Sequence, residues 1–257
     1  MRRLEWVLCT VMLAACAGTG GGKGTNETGA ANATAVARLS AAGRMNLGLA
    51  QGYLEAGDIA KARQRAEMAE QTDSGSAEVR ATLAMVHASA GETQKAQREF
   101  DRALKIAPND GVILNAHASW SCEHGQADLA DQEFLKALAD PKYRAPAQAL
   151  ANAGKCALSV NRLPQAESYL RRALVFSPED RNLLYLLADT EFRQGKFFEA
   201  QAFIQRRDAL GADASTLDLA ARIEEGAGNA MGAARYRERL RQEFPKHAPT
   251  GAGDRSP

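Results

Sequence analysis

The chain has 257 residues, 45% of them hydrophobic and 25% charged, with a formal net charge of +1. This is ordinary soluble usage, which excludes wholesale disorder and a polytopic membrane protein, and the balanced charge leaves no electrostatic footprint for nucleic acid. Aromatic residues are only 6% of the chain while alanine is abundant, so the core must come from small side chains on closely packed helices, not from the residues that strands favour.

The first segment reads as a targeting leader. Arg2 and Arg3 begin it, and Trp6 to Ala15 form an apolar run of ten residues, too short to span a bilayer as a permanent helix. The run ends in Leu13-Ala14-Ala15-Cys16, which resembles the bacterial lipobox, where the thiol takes a diacylglycerol and becomes the new N-terminus. Cys16 is therefore the expected lipidation site and residues 1–15 the signal peptide. Ordinary cleavage after Ala17 is the competing reading, since Ala15 and Ala17 also satisfy the small-residue rule. Ala17 is not the Asp that accompanies inner-membrane retention, so the lipoprotein resemblance implies the periplasmic face of the outer membrane. Residues 16–42 form a lipidated, flexible tether without a hydrophobic period. Its Gly20-Gly21-Gly22-Lys23-Gly24-Thr25 fails as a phosphate loop, because Ala17 stands where the first Gly must be and Gly24 where Ser or Thr must be.

From residue 43 the sequence repeats itself with a period of 34 residues. Gly57, Gly91, Gly125, Asn161, Gly195 and Gly228 align at one turn position, all residue types able to take the left-handed conformation that ends a helix. Five residues on come Ala62, Ala96, Ala130, Ala166, Ala200 and Ala233. Seven before the turn come Ala50, Ala84, Ala118, Gly154, Ala188 and Ala221, so two rows of small residues face each other and let paired helices approach. Phe100, Phe134, Leu170 and Ile204 supply large side chains nine after the turn, and Pro108, Pro178 and Pro245 stop helices. The pattern resembles the tetratricopeptide repeat and implies an all-α, right-handed solenoid of six helix pairs over 43–247, each burying faces its neighbour cannot cover alone. The units run 43–76, 77–110, 111–144, 147–180, 181–213 and 214–247, with Ala145 and Pro146 inserted, and 248–257 is a disordered tail.

No catalytic constellation emerges, and no cofactor is expected. His117, Cys122 and His124 share one helix, but their spacing is no recognised zinc pattern, and His117 occupies a core position. Glu179-Asp180 and Glu224-Glu225 read as solvated or dipole-compensating acids. With Cys9 lost in the leader and Cys16 acylated, Cys122 and Cys156 remain, on the first helices of units three and four. A disulfide is the simplest reading for an exported chain; two buried thiols are the alternative.

A solenoid of this kind recognises partners on the concave face of its first helices, read at repeat places two, five, nine and twelve. Unit one presents Arg44, Leu47, Gln51 and Leu54, unit two Glu78, Ala81, Met85 and Ala88, and unit five Asn182, Tyr185, Asp189 and Phe192. Apolar Leu47, Leu54, Met85, Tyr185 and Phe192 on such a face suit a groove for a partner helix, with Gln51 beside them; packing against the neighbouring second helices is the competing account.

The stretches Arg44-Met45-Asn46-Leu47-Gly48-Leu49-Ala50-Gln51-Gly52-Tyr53-Leu54, Ala137-Leu138-Ala139-Asp140-Pro141-Lys142-Tyr143 and Ala149-Leu150-Ala151-Asn152-Ala153-Gly154-Lys155-Cys156-Ala157 resemble the type IV pilus biogenesis and stability lipoproteins, the PilF/PilW family. That resemblance implies a pilotin or assembly factor that binds secretin subunits of the outer-membrane pore and promotes their targeting or multimerisation, with no nucleic-acid or small-molecule partner. A repeat scaffold serving another envelope process, such as peptidoglycan synthesis or outer-membrane protein assembly, is the alternative.

Overall fold

In a computed structural model of the chain, residues 39–247 are described. The leader, Cys16, most of the tether and the tail lie outside them. Within them stand twelve helices and no strand, paired as the repeat period requires. Unit one is α1 (Ala41–Glu55) with α2 (Ile59–Asp73), and unit two is α3 (Ala77–Ser89) with α4 (Thr93–Ile106). Units three and four are α5 (Gly111–Glu123) with α6 (Ala127–Ala139), and α7 (Pro146–Ser159) with α8 (Leu163–Phe176). α9 (Arg181–Arg193) with α10 (Phe197–Ala209) and α11 (Ala214–Gly226) with α12 (Ala230–Glu243) complete the array. The first helix starts two residues earlier than the repeat alignment indicates, because Ser40 caps it: its hydroxyl accepts from the Gly43 amide at 2.9 Å.

Each sequence row has its place. The turn residues adopt positive φ, 74° at Gly57 and 58° at Asn161, and close each first helix. Ala50, Ala84, Ala118 and Ala188 face Ala62, Ala96, Ala130 and Ala200 with no exposure at all. Phe100, Phe134, Leu170 and Ile204 fill the space between pairs. Asp110, Asp180 and Asp213 cap α5, α9 and α11 through side-chain oxygens that accept from backbone amides. At the insertion Pro146 opens α7 from its first turn, where its missing N–H costs nothing, and the Asp140 carboxylate accepts from the Gly111 amide at 2.9 Å.

Every first helix packs backbone-close against the first helix of the next unit, whereas successive second helices stand further apart and meet only through long side chains, as Gln165 and Tyr169 of α8 reach Asp131 of α6 and Arg239 of α12 reaches Asp208 of α10. First helices thus lie on the inner side of a curve and second helices splay on the outer side. The fold is a tetratricopeptide-like all-α solenoid.

Candidate protein-docking groove

The inner surface carries a recess of about 460 Å³ across α1, α3, α5 and α7. Its apolar lining is Leu54, Met85, Ala88, Val112 and Ala116, with Phe100 and Trp120 at the floor. Amides of Gln51, Asn115, Gln148 and Asn152 alternate with these, and Glu55 and Glu123 stand at the edge where α1 and α5 end. Val112 is 57% exposed and Met85 37%, so two aliphatic side chains on adjacent first helices meet solvent where a monomer without a partner has no need of them.

The floor is held from beneath. His117 on α5 is buried, and its Nδ1 lies 2.8 Å and 2.9 Å from the carboxylate oxygens of buried Glu133 on α6. Phe100 packs tilted on His117 with ring centroids 5.1 Å apart, and Trp120 stacks on both His117 and His124, the latter at 4.2 Å. The aromatic platform therefore rests on a hydrogen-bonded pair that fixes the His117 ring, as a half-satisfied buried pair would not. On the flank, the amide of Asn152 donates to Asn115 at 3.2 Å across units three and four. Cys122 and Cys156 are joined there, with S–S 2.04 Å and Cα atoms 5.8 Å apart.

Of the candidate docking residues read from the sequence, Gln51, Leu54 and Met85 line this recess, with Ala88 of the same face beside them. Leu47 does not. It is 5% exposed and packs in a cluster with Val79, Leu83 and Val86, because it lies on the side of α1 that packs against α3. Its sequence assignment to the groove is corrected to the core. Tyr185 and Phe192 lie outside the recess, half-buried against the core of the C-terminal units. Phe192 is tilted against Phe197 at 6.0 Å and covered by the Arg222 guanidinium at 5.0 Å, so structural packing, not a groove, accounts for it. Burial pushes the Tyr185 phenol above its usual range. Glu224 is likewise corrected: it is buried, accepting from Asn229 at 2.7 Å and Gln201 at 3.0 Å, where the sequence suggested a solvated acid.

Comparison with known proteins fits this architecture. The tetratricopeptide-repeat family model matches residues 53–119. The type IV pilus assembly protein PilF of Pseudomonas aeruginosa is 25% identical over 202 residues, which cover 78% of this chain and 79% of that one. The crystal structure of PilW, a widely conserved type IV pilus biogenesis factor, matches with TM-score 0.75 and 27% identity over 82% of this chain and 97% of that one. The chain is thus similar to PilF in sequence and to PilW in fold, and it carries tetratricopeptide repeats.

A Pseudomonas aeruginosa PilF structure shares the fold, with TM-score 0.69 at 24% identity over 80% of this chain and 93% of that one. Among the groove residues, Val112, Asn115, Ser119 and Gln148 are not singled out by the sequence. The signal was present, since places two, five and nine of unit three are Val112, Asn115 and Ser119. Trp120 and Asn152 sit one place off the stripe and carry no such signal.

Proposed function

We propose that this chain is an outer-membrane lipoprotein of the type IV pilus machinery, a pilotin or assembly factor without catalytic activity. In this reading it is tethered through Cys16 and receives a segment of the secretin subunit in the groove of units one to four, promoting targeting or multimerisation of the pore. The observation that carries the docking step is the recess of about 460 Å³ with solvent-facing Val112 and Met85. The likeness to PilF and PilW supports the pilus context.

The test combines Met85→Asp with Val112→Asp and measures binding to purified secretin alongside circular dichroism. Burying an aliphatic side chain contributes roughly 1.5 to 3 kcal/mol. Losing two such contacts and placing charge at the contact should weaken binding by about a hundredfold or more with helicity intact. Leu47→Asp is the contrast, since it places a carboxylate in the core of unit one and should lower helicity instead. Unchanged secretin binding by the double variant at full helicity would remove the groove from the mechanism, and recovery of cell-wall synthases in place of secretin in a pull-down would favour the scaffold for another envelope process.

A further inference from the structure

We propose that the segment received by this groove is basic and amphipathic, presenting Lys or Arg beside its apolar anchors, an inference that rests on the groove being the docking site. The recess is lined by aliphatic side chains, four amides and the two carboxylates Glu55 and Glu123, and by no Lys or Arg. Acids elsewhere are largely spoken for: Asp58 by Lys61, Glu92 by Arg63 and Lys95, Glu99 by Arg80 and Arg102, Asp208 by Arg239. Glu55 and Glu123 have neither an ion pair nor a hydrogen bond among the described residues.

Their position compounds the charge. Each is the last residue of its first helix, and neither α1 nor α5 carries a basic residue in its last turn. A carboxylate at a helix C-terminus adds to the negative end of the macrodipole instead of compensating it. Two helices two units apart, both ending in an uncompensated acid on the same edge of one recess, make that edge electronegative in a chain whose total charge is near zero. The negative stretch ends at Lys155 on α7, which shares the adjoining recess with Glu123. A partner segment with its cations over the ends of α1 and α5 and its apolar side chains on Leu54, Met85 and Val112 would satisfy both halves of the surface. An acidic segment would meet repulsion with no compensating cation.

The test uses three synthetic peptides of about four helical turns, identical on a Leu-rich face and carrying only Lys, only Gln or only Glu on the polar face. Their binding to the immobilised full-length protein is measured by surface plasmon resonance at low and high salt. With about threefold per exposed pair, the Lys peptide should bind roughly tenfold more tightly than the Gln peptide at low salt, and the Glu peptide most weakly. The advantage should collapse at high salt and in the Glu55→Gln with Glu123→Gln variant, while Met85→Asp abolishes binding of all three. Equal binding of the peptides, or a Lys advantage that survives the Glu55→Gln with Glu123→Gln variant, overturns the charge inference and leaves the groove standing if Met85→Asp still abolishes binding. Absence of binding, or binding indifferent to Met85→Asp, overturns the inference together with the docking reading beneath it.

Discussion

Gly154 tests whether the rows of small residues are what set helix approach. It lies mid-helix in α7, where replacement by alanine ought to gain about 1 kcal/mol from backbone propensity alone. The structure opposes that gain. A Cβ on Gly154 would lie 2.6 Å from Cγ and 2.7 Å from Cδ2 of Leu170, and 3.5 Å from the Leu170 backbone nitrogen. Leu170 has no exposed surface and belongs to a cluster with Phe134, Leu150, Leu184 and Leu187, so it has nowhere to retreat. Overpacking of this kind costs about 1 to 3 kcal/mol, which should leave Gly154→Ala destabilised by up to roughly 2 kcal/mol after the propensity gain. Leu170→Ala alone should cost about 2 to 5 kcal/mol through the cavity it opens. In that background the clash is gone, and Gly154→Ala should become stabilising by about 1 kcal/mol. Urea unfolding followed by circular dichroism, with slopes compared because repeat arrays depart from two-state behaviour, measures the change of sign. Gly154→Ala with the same effect in both backgrounds would refute steric control by Leu170.

Non-reducing peptide mapping should find Cys122 and Cys156 in one cross-linked fragment; for their separation of 34 residues, reduction should cost about 3 to 4 kcal/mol on the chain-entropy account. Two alkylatable thiols in natively purified protein would contradict it. Partial burial works against ionisation of Glu167, yet hydrogen bonds from Lys196, Gln194 and Arg171 outweigh it and hold its carboxyl down at about 2, against an ordinary 4.5. Its folded value is depressed, so its contribution is present above pH 4.5 and lost as pH falls towards 2, and Glu167→Gln should flatten that part of an acid-unfolding curve; an unchanged slope would deny the network this role. Glu191, pushed up by burial and by Glu167, has the opposite sign and loses stability as pH rises through its folded value. If the chain is anchored as proposed, Cys16→Ser should release it from the membrane fraction, and unchanged partitioning would exclude that thiol as the sole anchor.

The helix pairs were legible because their signals repeat: six turn residues and two rows of small side chains recur at fixed offsets, and repetition separates a packing rule from accident. The groove was half legible. A stripe at places two, five, nine and twelve is one helical face, but the close packing of first helices covers part of it, so Leu47 went to the core while Gln51, Leu54 and Met85 stayed on the surface. Buried acids left no trace in the sequence. Glu224 reads as solvated, and nothing sets Glu133 and Glu191 apart, until His117, Arg171, Lys196 and Asn229 are seen beside them, partners 16, 20 or 5 positions away that no periodicity ties together.

The same curvature explains why the recess lies in units one to four. In unit five the inner surface is closed on itself: Asp189 pairs with Arg193 at 2.9 Å, and Arg222 of unit six covers Phe192. In units one to three the corresponding place holds Gln51, Met85 and Ser119, which carry no charge and line the recess, so the surface there stays open. An open stretch of a solenoid is also its most deformable one, because each unit is held only by the units beside it. The Asn152 to Asn115 hydrogen bond and the Cys122 to Cys156 bridge both tie α5 to α7, on the wall of that stretch. Fixing the angle between units three and four sets the width of the groove before a partner arrives, and a site already held at its working width spends less of its contact energy on ordering.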